Sequence, residues 1–195
     1  MTDEKLERFR QMRSMTEDER TALKIKGIGE VLSMVSSEER AEVMLALTRR
    51  QRAEVLWPVF FENWSLCDDT WYLQDELLGQ LQRCEDEAPG VDVLSAEARA
   101  HYDALPDPVR VFRGCPHERA MGITWTTDRE IAAGFAHGHR FIEVPDPVIA
   151  TGVVPKWAVY GVCVNRGEAD VILDPHYVDE LELEALLLSS GDRER

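Results

Sequence analysis

Three short stretches of this chain hold residue types that could do chemistry together. Arg113-Gly114 closes an apolar run, Val109-Arg110-Val111-Phe112. A guanidinium makes paired hydrogen bonds to phosphate or ribose oxygens, and a following glycine lets the main chain come close to a ligand. Thr124-Trp125-Thr126 alternates hydroxyl, indole and hydroxyl. In a strand both hydroxyls face one side, where they can hold a neighbouring carboxylate in one rotamer. Glu168-Ala169-Asp170 follows the turn residues Asn165-Arg166-Gly167, and its two carboxylates point the same way when extended. Their mutual repulsion has to be offset by Arg166 or by the hydroxyls. A carboxylate held in a dry cleft stabilises positive charge developing on a ribose carbon, as an oxocarbenium-like transition state requires. Each stretch alone also has a plain structural reading: a surface arginine before a turn, a half-exposed strand with Trp125 in the core, a solvated acidic turn.

The elements that must carry these residues read as helices first and strands afterwards. Thr16-Glu17-Asp18-Glu19 has the form of a capping box, which Ser36-Ser37-Glu38-Glu39 and Thr48-Arg49-Arg50-Gln51 repeat. Ile28, Val31, Leu32 and Val35 have the spacing of an amphipathic stripe, which Gly27 and Gly29 are expected to weaken or break. Pro58 is expected to end or kink a helix begun near Arg49. Leu73, Leu77, Leu78 and Leu81 mark another helix, stopping before Ala88-Pro89-Gly90, and Ser95 caps a further one, closed by Pro106 and Pro108. Phe60, Phe61, Trp64, Trp71 and Tyr72 form either the core between helices or a docking or substrate face.

From Val109 the chain turns β-rich, with candidate strands at Val109–Phe112, Val148–Val154, Trp157–Val164, Val171–Leu173 and Leu181–Glu184. Thr127-Asp128-Arg129-Glu130 starts a short helix through Ala136. One evident helix among so many strands argues for an antiparallel or mixed sheet. The fold class is α+β, with a helical region over residues 1–100, a β-rich domain over 101–195 and a frayed end from Ser189 to Arg195.

Charge and composition narrow the function classes. The net charge of −15 is uneven: residues 1–60 hold 11 Lys+Arg and 11 Asp+Glu, whereas residues 61–195 hold 11 and 26. Such an acidic surface repels phosphate backbones, which argues against a nucleic-acid partner and for a basic protein partner or plain solubility. No apolar run has the roughly 18 to 20 residues of a membrane span. MTDEKLERFR lacks the apolar stretch of a secretory signal, so no membrane is implied and a cytoplasmic location is expected. Cys67, Cys84, Cys115 and Cys163 form no CxxC pair and read as buried or half-buried thiols. Cys115, His117, His137 and His139 match no regular zinc spacing, so no metal is expected.

Taken in order, an arginine at the end of a first strand, a hydroxyl–x–Thr strand and a carboxylate–x–carboxylate loop resemble the arginine–serine–glutamate branch of the mono-ADP-ribosyltransferases. The likeness is to bacterial and phage or prophage members with an aromatic-Arg-Gly opening, and it covers about residues 102–178. It implies an ADP-ribosyltransferase-like domain that takes NAD as substrate and passes ADP-ribose to a protein acceptor. By that resemblance Arg113 holds the nicotinamide ribose and phosphates, and the Gly114 main chain lies beside the nicotinamide amide. Thr124 and Thr126 brace the catalytic carboxylate, and Phe135 stacks on the nicotinamide. Glu168 meets the acceptor, which for an acidic residue there implies arginine, and Asp170 stands where the family has its catalytic glutamate. Aspartate is one methylene shorter, and a misplacement of about 1 Å can cost about 100-fold in rate. A shifted backbone, a transfer of the chemistry to Glu168, or a degenerate fold that binds a nucleotide or protein without turnover all remain open, as does NAD hydrolysis with water as acceptor. The helical region reads equally as a partner-recognition module, an inhibitory cap or a scaffold.

Overall fold

The computed structural model describes residues 14–68, 70–138, 144–165 and 168–186. Arg166, Gly167, His139 and residues 189–195 lie outside the described residues, as do the side chains of Asn165, Glu168 and Ala169.

A side-chain cap opens three of the six described α-helices. Thr16 Oγ1 accepts from Glu19 N at 3.2 Å and Thr16 N donates to Glu19 Oε2 at 2.7 Å, a complete capping box that opens α1, Glu17–Ser33. Contrary to expectation, α1 runs unbroken through Gly27 and Gly29. Two glycines cost roughly 1 kcal/mol each in helix propensity, and burial of Ile28 and Leu32 on the inner face offsets that loss. The second box is incomplete: Ser36 precedes α2, Ser37–Thr48, but its hydroxyl donates to the Glu39 carboxylate at 2.9 Å and caps no backbone amide.

The third box is not a start at all. Thr48 is the last residue of α2; its buried hydroxyl donates to Met44 O at 2.7 Å and accepts from Gln80 Nε2 at 2.8 Å. The next helix, α3, spans Ala53–Asn63 and continues through Pro58. Trp57, Val59 and Phe60 around the proline are all at most 2% exposed. Their packing outweighs the missing backbone donor. Helices α4, Gln74–Glu87, and α5, Ala96–Ala104, follow the expected limits, and Ser95 Oγ caps α5 by accepting from Ala98 N at 3.2 Å.

The strands form a single six-stranded sheet in the order β4-β5-β2-β1-β3-β6, with every neighbouring pair antiparallel. They are β1 Val109–Pro116, β2 Thr124–Thr126, β3 Pro147–Val154, β4 Val159–Asn165, β5 Glu168–Leu173 and β6 Asp179–Ala185. The choice left open between mixed and antiparallel is thus decided for antiparallel, and the class is α+β. Glu168-Ala169-Asp170, expected in a loop, instead opens β5, where it pairs with the end of β4. Trp157, expected in a strand, sits in a 3-10 turn, Lys156–Ala158, just before β4. Helix α6, Arg129–Ala136, starts at Asp128, whose Oδ1 accepts from Glu130 N at 2.7 Å and Ile131 N at 3.4 Å.

One face of the sheet receives nearly all the helices. Phe112, Gly114 and Ile149 lie on this face under α6. Further along the sheet, Cys163 and Ile172 join Trp57, Phe60, Trp64, Leu77 and Leu81 in one core. Gly161 admits the Phe61 ring where any side chain would collide with it. The opposite face holds Val109, Val111, Cys115, Trp125, Ala150 and Val171, with Tyr102 and Leu105 packed against them. Helical region and sheet therefore share a core.

A buried carboxylate ties the two layers. Asp174 Oδ2 accepts from Gln82 Nε2 of α4 at 2.8 Å and from Tyr160 Oη at 3.1 Å, and Oδ1 accepts from His176 N at 3.0 Å. Burial alone would push its pKa up, but the hydrogen bonds from Gln82, His176 and Tyr160 win and hold it below the usual aspartate value. A lowered folded-state pKa contributes stability that is present above the unfolded value and lost as pH falls through the folded one. Asp174→Asn is accordingly expected to lower stability by about 1–3 kcal/mol at pH 7. The gap to wild type should narrow below the usual aspartate range, as read from urea unfolding midpoints over pH 2–7.

Candidate functional site

The site is built where the sheet nearly comes apart. Strands β1 and β2 share one register pair, Phe112 with Thr126, whereas β1 and β3 pair along their whole length. Leu173 N donates to Ile123 O at 2.9 Å, so Ile123 turns its carbonyl toward β5. By strand alternation the carbonyl of Thr124 points the other way, toward β1. Beyond Phe112 and Thr126, β1 and β2 share no further register pair among the described residues. The Arg113 guanidinium meets that carbonyl, donating from Nη1 to Thr124 O at 2.6 Å and from Nε to Arg119 O at 3.1 Å. It lies against Gly122, where a Cβ would run into the guanidinium.

Burial pushes the Arg113 pKa down, while Cys115 and Asp170 act to raise it. An arginine starts so high that it stays cationic. The carbonyl oxygens of Thr124 and Arg119 stabilise the ion in its half-buried seat, and Asp170 lies within its electrostatic reach.

Asp170 itself is fixed by register. Thr126 pairs with Asp170, and Asp170 pairs with Cys163 on its other side. Phe112, Thr126, Asp170 and Cys163 thus form one row across four strands, with side chains on the helix-covered face. Directly opposed residues stand about 4.5–5.5 Å apart at Cβ, within reach of a hydroxyl–carboxylate hydrogen bond. Thr126 is 5% exposed, and its Oγ1 accepts from Asp128 N at 3.1 Å, which leaves the hydroxyl proton to donate. Glu168 lies two residues before Asp170 in β5, at the start of the hairpin pairing with Asn165.

Thr124 is engaged differently. Its Oγ1 accepts from Trp64 Nε1 at 2.9 Å, so the indole of the helical layer holds it. Gln74 at the start of α4 donates from Nε2 to Met121 O at 2.7 Å. Between these contacts Trp64, Trp71, Gln74, Leu77, Arg113, Ile123 and Thr124 enclose a cavity of about 20 Å³, room for about one water.

Two further expected residues lie on or under α6. Gly114 sits under α6, and its missing side chain is filled by the Ala132 carbonyl and the Ala136 amide. Its requirement for glycine is explained by helix packing. Phe135 is half-buried on α6, next to Ala136. His137 ends the same helix in an exposed position.

Sequence reasoning did not single out Trp64, Trp71 or Gln74 as site residues. The aromatic run gave a signal for the two tryptophans, whereas nothing marked Gln74 or Gly122. The four cysteines are free thiols; burial pushes Cys67 up to about 12 and raises Cys115 despite the nearby Arg113. Among the described residues no group of His, Cys, Asp and Glu is arranged to hold a metal ion, and no helix is long and apolar enough to cross a membrane.

Comparison of the chain with family models, with curated proteins and with solved structures finds no match in any of the three. The reading of the site therefore rests on its own geometry.

Replacing Gly114 by alanine should separate packing from chemistry. The added Cβ meets backbone of α6, which cannot swing aside as a side chain would. A loss of about 1–3 kcal/mol is expected, read as a lower urea midpoint with unchanged slope.

Proposed function

We propose that this chain is an NAD-dependent protein of the mono-ADP-ribosyltransferase kind, which releases nicotinamide and passes ADP-ribose to a protein side chain. The observation that supports the reading is the pairing of Thr126 with Asp170, whose charge acts on the half-buried cation of Arg113. Three segments far apart in sequence supply these groups: Thr126 and Asp170 by register, and Arg113 by the electrostatic influence of Asp170 on it.

In this reading the Arg113 guanidinium exchanges its two carbonyl partners for oxygens of the pyrophosphate and nicotinamide ribose. Thr126 donates its hydroxyl proton to the Asp170 carboxylate and fixes its direction. The bond between the ribose carbon and the nicotinamide nitrogen breaks with its electron pair going to the nitrogen, which neutralises the pyridinium. Asp170 stabilises the cationic character left on the ribose carbon. A nucleophilic nitrogen of the acceptor forms the new bond to that carbon and gives up its proton to Glu168. An arginine on a basic acceptor suits the acidic balance of residues 61–195. Phe135 is assigned to the nicotinamide face and Gly114 to its amide on the family resemblance alone.

A second reading, a catalytically degenerate member that binds a nucleotide or a protein, is favoured by the shorter Asp170 and by the engagement of Thr124 with Trp64. The two readings part on one substitution. Under the transferase reading the wild type releases nicotinamide from NAD and labels a protein in a lysate, and Asp170→Ala and Arg113→Ala each lose at least about 100-fold in nicotinamide release. Under the degenerate reading the wild type is inert and Asp170→Glu gains activity. Free ADP-ribose without protein label marks a glycohydrolase. Unchanged turnover in both alanine variants removes Arg113 and Asp170 from the chemistry.

A further inference from the structure

The hydrogen bond from Trp64 to Thr124 lies between the helical layer and the strand that carries the site. Trp64 Nε1 donates to Thr124 Oγ1 at 2.9 Å, and the indole is 6% exposed with its ring stacked on Phe60 at 5.0 Å. Trp71, in a separate 3-10 turn, closes the same cavity from the side, and Gln74 holds Met121 O at 2.7 Å. The space left beside Arg113 is about 20 Å³. That is room for about one water, and a nicotinamide ring is several times larger than a water.

We infer that Trp64 is a latch: its hydrogen bond to Thr124 keeps the helical layer shut over Arg113, and a nucleotide enters only when that bond breaks. The inference rests on the nucleotide reading for what enters, and on hydrogen bonds and cavity size for what shuts the site.

The fold confines the movement to the neighbourhood of the latch. Trp57, Phe60, Leu77 and Leu81 are at most 2% exposed and anchor α3 and α4 to the sheet through Ile172 and Cys163. Wholesale departure of these helices would unfold the common core. Trp64 and Trp71 instead stand in single 3-10 turns, Trp64–Leu66 and Trp71–Leu73. Such turns have poorer hydrogen-bond geometry than an α-helix and rearrange at lower cost.

A closed majority state weakens apparent ligand affinity by the fraction of molecules that are open. Removing one hydrogen bond of the latch should raise that fraction about 3- to 10-fold. Trp64→Phe keeps a ring but loses the donor, and Thr124→Val keeps the shape of the strand residue but loses the acceptor. Amide hydrogen exchange over residues 119–126 of the full chain is the primary readout, with calorimetric titration of NAD into the Trp64→Phe protein as the second.

The latch predicts that exchange over 119–126 rises about 3- to 10-fold in both variants, that the double variant rises no further, and that NAD binds about 3- to 10-fold more tightly to Trp64→Phe than to wild type. Exchange in β3, residues 147–154, should stay at the wild-type rate. Equal rises in β3 would show general loosening of the core, and unchanged exchange over 119–126 would show that the bond shuts nothing; either overturns the latch. A local rise with no NAD bound by any of the proteins supports the latch and sinks the nucleotide reading instead.

Discussion

The Arg113 guanidinium stands where a β-ladder would otherwise run. Strand β1 meets β2 at Phe112 and Thr126 and then leaves it, so the Thr124 carbonyl, aimed at β1, would be an unpaired acceptor inside the sheet. A buried acceptor without a donor costs about 1–3 kcal/mol, and an unpaired buried cation costs more. The guanidinium and the carbonyls of Thr124 and Arg119 resolve both problems at once. The same exchange joins the two halves of the sheet, β4-β5-β2 and β1-β3-β6, beyond their one register pair. Gly122 follows from it, because only a residue without a Cβ leaves room for the guanidinium.

That arrangement sets a charge among several polar groups. The cation is bound by neutral oxygens, with Asp170 near enough to act on it. The register Thr126–Asp170 puts an acid and a hydroxyl side by side on the helix-covered face. One row of the sheet thus supplies the negative group and the gap between strands supplies the positive one.

The helical layer brings stability and access into opposition. Asp174 accepts from Gln82 of α4 and from Tyr160 of β4, and the aromatic set of Trp57, Phe60 and Phe61 packs against the sheet through Gly161. The same layer ends in Trp64 and Trp71, which close over Arg113. A core residue and a site residue can therefore be the same tryptophan. The choice posed for the aromatic run, core or binding face, has no single answer for Trp64, which is both packed on Phe60 and bonded to Thr124.

Much of this architecture was legible in local pattern. The Thr16 capping box, the Ser95 cap, the leucine spacing of α4 and the β-branched runs of β3 and β5 are all written within a few residues of one another, and the α+β class follows from them. The departures occurred where burial overrode a local rule: Pro58 and Gly27 sit inside helices because their neighbours are packed, and Thr48 closes a helix because Gln80 comes to its hydroxyl from a different one. Arg113, Thr126 and Asp170 could be picked out by residue type, but their proximity could not. It depends on which strands become neighbours, and a sheet order in which β5 lies between β4 and β2 is decided by the whole set of hydrogen-bonded edges rather than by any one stretch. Nor could the sequence assign Thr124 to Trp64, sixty positions earlier. The strand pattern turns the hydroxyl toward one face of a sheet; only the packing of the helices determines what meets it there.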